Sequence, residues 1–139
     1  MFDFNFFFKV LPIMLKYVRV TLFVSACSLV GAFLIALVIA LSIELKTPGL
    51  SQFSRAWKSL FRGTPLLAQL FWICYGLPQL IVPLQKVSVM TLLILGLSFN
   101  ASSYMAESLR GAISSVGRGQ MEACLSSGMT RMQGMRRIV

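Results

Sequence analysis

Two long runs without a charged residue place the strongest constraint on the fold of this chain. Residues 20–43 form an uncharged run of 24 residues, and residues 87–106 form another of 20. About 20 apolar residues are enough for a helix to cross a bilayer. Charged residues make up 12% of the chain, about half the share in soluble domains. The sequence therefore predicts an all-α membrane protein.

A third uncharged run, residues 63–85, contains several prolines. Thr64 suits an N-cap and Pro65 the first helical position, and we expect this helix to end near Gly76 or Pro78. The sequence predicts one partial transmembrane domain over 1–139, with spans at about 20–43, 63–82 and 87–106.

The segments beside the first run are more polar. Residues 1–19 mix Phe with charges, which is typical of a helix at the membrane surface or of a lead-in to the first span. In the 44–62 link, Pro48 and Gly49 break any helix, and 51–61 could form a short amphipathic one. Small residues recur every four positions in the first run and favour close helix packing: Ser28, Ala32, Ala36 and Ala40.

The net charge of +9 is explained by the excess of Lys and Arg in the inner loops of membrane proteins, so no nucleic-acid partner is expected. Nine basic residues lie in the 44–62 link and from Arg110 onward, and four lie elsewhere. This asymmetry places the link and the C-terminal segment in the cytoplasm and the N-terminus outside.

The chain offers little for catalysis. It has no His and four acidic residues, and three Cys without a Cys-x-x-Cys pair. These facts argue against a His-based nucleophile or metal site, a disulfide framework and a zinc site. No phosphate-binding Gly-rich loop of the ATPase type occurs. We predict no catalytic residue, no metal and no cofactor of its own, and thus no enzyme.

The C-terminal segment, about 110–139, is polar, basic and rich in Met. It predicts a helix over 120–127, a left-handed Gly128 that ends it, and a second helix from 131 with Thr130 and Gln133 as a capping box. Two interpretations stay open. The segment could dock a protein through adaptable Met side chains, or lie on lipid with its arginines facing anionic headgroups.

Three motifs follow one another along the chain: FRGTPLLAQLF (61–71) with YGLP (75–78), NASSYMAESLRGAI (100–113), and GQMEAC (119–124) with GM (128–129) and Ile138. In these motifs the chain resembles the membrane-spanning permease subunits of bacterial ABC importers for polar amino acids, of the histidine, glutamine and arginine type. The resemblance covers essentially the whole chain. Cys124 departs from it where that family carries Ala, and Ser59 where relatives usually carry an acid.

The resemblance implies a transport subunit, with ATP hydrolysis in a separate partner. It implies ATPase subunits inside, a second permease subunit that is the same or a different chain, an amino acid-binding protein outside, and the inner-membrane bilayer as surroundings. The third motif matches the family's EAA loop, whose ATPase-docking positions here are Glu122, Ala123, Cys124, Gly128 and Ile138. A junction at the cytoplasmic mouth is implied for Arg62, Gly63, Thr64 and Pro65. The polar residues that either line the path or bond between helices are Asn100, Ser103 and Tyr104.

Family members continue beyond three spans, and the Leu-Pro that closes their EAA loop would fall at 140–141. We therefore expect a permease truncated within that loop, forming three helices of a larger bundle. The alternatives are a small three-span membrane protein of another class and an inactive truncated permease.

Overall fold

The computed structural model describes residues 4–115 and 118–138, which form helices joined by short turns, with no strand in these ranges. The predicted all-α fold is confirmed. The elements are α1 (Phe4–Glu44), α2 (Leu50–Gly63), α3 (Leu66–Phe71), a π-helical segment (Trp72–Gly76), α4 (Leu77–Leu80), a 3-10 segment (Val82–Lys86), α5 (Val89–Ser115), α6 (Arg118–Ser126) and α7 (Arg131–Ile138).

The helix α1 continues the first predicted span toward the N-terminus without a break. It has 41 residues, about 60 Å at 1.5 Å per residue, which is twice the thickness of the hydrocarbon core. Residues 4–19 are thus a lead-in to the span and do not form a separate surface helix. No glycine occurs before Gly31 to break the helix, and Pro12 lies inside it.

The predicted 63–82 span is shorter in the structure. An apolar helical stretch runs from Leu66 to Leu80, about 22 Å long, which is less than the hydrocarbon core. Pro65 precedes its first residue. The stretch does not end at Gly76, because a π-helical turn, in which the Leu77 N–H donates to the carbonyl of Trp72, carries it into α4.

The helix α5 contains the third predicted span and extends nine residues beyond it, to Ser115. The expected loop from residue 110 therefore begins as helix. In the part of the chain that the structure describes, two helices are long and apolar enough to cross a membrane, Phe6–Glu44 and Val89–Ser115. Hydropathy marks the part of a helix that suits lipid, and polar residues such as those after Ala106 can extend the same helix.

The core lies where α1 packs along α5. The small-residue stripe of α1 is buried there, as predicted, and Ala36 packs in one cluster with Ala106 of α5. Closer to the N-terminus of α5, the Ser98 hydroxyl lies 3.2 Å from the carbonyl oxygen of Ser28. Small side chains on both helices allow this close approach.

The helix α2 covers the end of this pair. Its Trp57 ring packs against Phe61 and edge-on against Phe99 of α5, with ring centroids 4.5 and 5.1 Å apart. The Trp57 indole N–H donates to the Ser102 hydroxyl at 3.3 Å. The predicted amphipathic helix over 51–61 is present, and its apolar side fixes α2 to α5.

Candidate functional site

The helices α6 and α7 form a hairpin around a glycine turn, as the sequence predicts. Gly128 has a φ of 80°, a left-handed conformation that Gly adopts without steric cost. Its N–H donates to the Leu125 carbonyl at 3.0 Å, and the Met129 N–H donates to the Cys124 carbonyl at 3.1 Å. This pair of bonds is the Schellman arrangement, which satisfies the last carbonyls of α6.

The start of α7 is held by the predicted capping box. The Thr130 hydroxyl accepts from the Gln133 N–H at 3.3 Å, and the Gln133 side-chain oxygen accepts from the Thr130 N–H at 2.9 Å. Two N–H groups that a helix start leaves unpaired are thereby satisfied. The hairpin thus has a defined turn between its two helices.

Gly134 lets α7 approach α6 closely. A Cβ at this position would lie 2.9 Å from the Met121 sulfur and 3.4 Å from the Cys124 Cβ. Sequence reasoning missed this residue, although a glycine in the middle of a predicted helix was a usable signal.

The residues of the third motif do not share one environment. Glu122 and Ala123 of α6 are exposed, whereas Cys124 is only 7% exposed because it faces α7. The side chain of Ile138 lies outside the described part of the chain. Of the apolar residues, Leu125 and Met132 are exposed. A partner could therefore contact the acid and these two apolar side chains, whereas the Cys124 thiol is covered by the hairpin itself.

The predicted junction lies where α2 ends. The helix α2 reaches Gly63, and Thr64 is extended, with φ −120° and ψ 146°. The Gln69 amide donates to the Phe61 and Thr64 carbonyl oxygens, each at 3.0 Å. Gln69 therefore fixes the turn that leads into α3. Gln69 belongs to the first sequence motif, but no local pattern indicates this contact.

Asn100 and Ser103 bond within the helix bundle. The Asn100 amide donates to the Phe61 carbonyl at 3.2 Å and to the Gln69 side-chain oxygen at 2.9 Å. Ser103 is fully buried and donates to the Asn100 carbonyl at 2.7 Å. Of the three candidate path residues, Tyr104 is the exposed one, and the Arg62 guanidinium lies 5.5 Å from its ring centroid. Asn100 thus bonds between helices, one of the two expected roles.

A cluster of charges joins α2 to α5. Within α5, Arg110 Nη1 lies 3.3 Å from Glu107 Oε1. The other Glu107 oxygen contacts the Lys58 ammonium and lies 3.8 Å from Arg62 Nη1. Sequence reasoning missed Lys58, because no local pattern connects two residues 49 positions apart. The Glu107 carboxylate therefore forms ion pairs with three cationic side chains from two helices.

No group of three or more Cys, Asp or Glu residues that could hold a metal occurs within 4–115 and 118–138. The arrangement consists of helix contacts, one charge cluster and an exposed hairpin.

Comparison with known proteins agrees with this geometry. The chain is 43% identical over 138 residues to a probable amino-acid ABC transporter permease, PatM of Vibrio harveyi, and 42% identical over 137 residues to the probable amino-acid permease YxeN of Bacillus subtilis. Each alignment covers 99% of the chain. The homologues of this chain are amino-acid ABC transporter permeases. No family model matches the sequence.

A solved structure shows the same fold. The crystal structure of an amino acid ABC transporter with histidines superposes on the chain with a TM-score of 0.85, at 31% identity, and covers 100% of it. The chain spans 62% and 61% of the two relatives and 64% of the solved chain. These similarities indicate a multi-pass membrane protein of the bacterial inner membrane, as predicted.

Proposed function

We propose that this chain is the permease part of an ATP-driven importer for polar amino acids, in which it forms part of the translocation path. The observation that supports this most directly is the alignment with amino-acid ABC transporter permeases, which covers 99% of the chain. The named substrates of more distant relatives, L-cystine, nopaline and glutamine, differ from one another. The proposal is therefore limited to the class of polar amino acids.

The α6–α7 hairpin docks the ATPase subunit in this proposal. It exposes one carboxylate, that of Glu122, and three apolar side chains, those of Ala123 and Leu125 on α6 and Met132 on α7. Apolar side chains together with a charge give both buried contact and orientation at an interface. The turn at Gly128 keeps the two helices in a fixed relation, so that motion of the ATPase is passed on to the permease.

The junction Arg62–Pro65 and the charge cluster transmit this motion to the helix bundle. Glu107 pairs with Lys58, and Asn100 bonds to Phe61, so both residues of α5 hold the last two turns of α2. The helices α2 and α5 therefore move together. Tyr104 lines the path, since its ring is half-exposed. Asn100 and Ser103 support it from the buried side.

In this proposal the 44–62 link and the segment from Arg110 onward lie in the cytoplasm and the N-terminus lies outside, which the excess of basic residues in those two segments supports. The partners are ATPase subunits on the cytoplasmic side, a second permease subunit, and an amino acid-binding protein on the other side.

The substitution Glu122→Lys tests this docking. We expect normal membrane insertion, but a loss of about tenfold or more in ATPase association and in ATP-dependent amino acid uptake, because truncating or reversing one charge of an interfacial pair costs several kcal/mol. Association is measured by co-purification of the complete transporter, and uptake in proteoliposomes. Glu44→Lys makes the same charge change at the end of α1 and serves as the matched control. Unchanged uptake in Glu122→Lys would refute the docking assignment. Ion leak through vesicles holding this chain alone would support the small membrane protein instead.

A further inference from the structure

The helix α2 exposes two flanks of different chemistry. Phe53 and Leu60 are 62% and 60% exposed. Arg55 lies two residues after Phe53, and Arg62 lies two residues after Leu60. Residues two apart on an α-helix lie about 200° apart around its axis. The apolar and the cationic flanks therefore lie on opposite sides of α2, and the buried side packs on α1 and α5 between them.

The cationic flank has more positive charge than the protein neutralises. Arg55, Lys58 and Arg62 line an open depression together with Ser59 and Gly63. Glu107 pairs with Lys58 and Arg62, whereas no ion pair to Arg55 occurs in the described part of the chain. One carboxylate set against three cations leaves an excess of two positive charges at this depression, without counting Arg110.

The position of α2, between two apolar helical stretches, is compatible with a helix that lies at a bilayer surface. The preceding helix ends at Glu44 and is long and apolar enough to span, and the apolar stretch that follows begins at Leu66. A helix that lies in the interface inserts its apolar side among acyl chains and keeps its Lys and Arg at the headgroups. Phe53 and Leu60 fit the first role, and the cationic flank fits the second.

We propose that this depression binds the phosphate of an anionic phospholipid headgroup. Arg side chains bind phosphate oxygens through two parallel N–H donors, and within residues 4–115 and 118–138 no carboxylate pairs with the Arg55 guanidinium. A free phosphate ion offers the same chemistry. The exposed apolar side chains on the same helix favour the lipid, because they anchor α2 at the depth where headgroups lie.

The test is native mass spectrometry of the purified full chain in neutral detergent with equal amounts of phosphatidylglycerol and phosphatidylcholine. We expect a first adduct that favours phosphatidylglycerol, and we expect Arg55→Gln to lower this preference about fivefold, which corresponds to about 1 kcal/mol per basic residue at an anionic surface. Arg55 is chosen because it is exposed and its replacement leaves the contacts of Glu107 intact. Ser59→Glu, at an exposed position in the same lining, should lower the preference at least as much.

Arg19→Gln is the matched control, since it removes the same charge from an exposed position on α1. An equal loss in Arg19→Gln would overturn the proposal, because the preference would then come from the net charge of the chain. Equal binding of the two lipids by the unaltered chain would also overturn it. In a further arm, inorganic phosphate is added. Displacement of phosphatidylglycerol by phosphate would assign the depression to a free anion, whereas retention of the lipid adduct supports the headgroup.

Discussion

The contact between α1 and α5 gives a prediction whose magnitude follows from the structure. A Cβ at Gly31 would lie 2.7 Å from the Ser98 hydroxyl oxygen and 3.2 Å from the Ser98 Cβ. Ser98 is buried, and its hydroxyl lies 2.7 Å from the Ile94 carbonyl oxygen and 3.2 Å from that of Ser28. The substitution Gly31→Ala must therefore displace Ser98 or separate the helices.

Three terms set the expected loss of stability for Gly31→Ala. Overpacking a close contact costs about 1–3 kcal/mol. Loss of the contact to Ser28 adds about 0.6 kcal/mol, the average for hydrogen bonds between membrane helices. The higher helix propensity of Ala returns up to about 1 kcal/mol. The free energy of unfolding should fall by about 1–3 kcal/mol.

The assay is SDS-induced unfolding of the full chain in mixed micelles, followed by far-UV circular dichroism. Gly111→Ala is the control, because Gly111 lies within α5 and a Cβ there would meet nothing within 4 Å. This control should be neutral or slightly more stable. Ser98→Gly removes both atoms nearest the new methyl group, so the double variant should recover about 1 kcal/mol relative to additivity. If Gly31→Ala costs the same with and without Ser98→Gly, the close contact is not the cause and the reasoning fails.

Two further substitutions test the charge cluster and the hairpin. Glu107→Gln should lower the free energy of unfolding by about 1 kcal/mol at low salt, because three cations lose their shared carboxylate. The loss should be smaller at high salt, since salt screens exposed charges. An effect independent of salt in the same unfolding assay would argue against an electrostatic cause. Gly128→Ala places a Cβ in a left-handed conformation at about 1–2 kcal/mol and should open the hairpin, so that the Cys124 thiol reacts about fivefold or more faster with a maleimide. Gly119→Ala, in α6 with nothing within 4 Å of the new Cβ, should leave that rate unchanged, and equal acceleration in both variants would contradict the role of the turn.

The features that sequence reasoning predicted correctly are local. The hairpin depends on Gly128, Thr130 and Gln133, which lie within six positions and bond mainly to near neighbours. A capping box and a glycine turn are encoded by residues a few positions apart. The packing of the small-residue stripe also follows from a pattern of period four.

The features that it missed depend on which helices meet. Asn100 bonds to Gln69, 31 positions away, and Lys58 pairs with Glu107, 49 positions away. No spacing rule connects such residues before the fold is known. The helix limits differ for another reason: the absence of charge marks the membrane-compatible length, while a helix such as α5 continues into polar sequence as long as its residues favour helix.

The contacts divide the three sequence motifs into two groups. The first and second motifs contact each other, because Gln69 and Arg62 from the first reach Asn100 and Tyr104 from the second. The polar side chains of Gln69 and Asn100 form hydrogen bonds that hold neighbouring helices together. The third motif bonds within its own hairpin and leaves Glu122 exposed. Substitutions of Gln69 and Asn100 should therefore act through the stability of the bundle, whereas changes on the exposed face of α6 should act only when a partner is present.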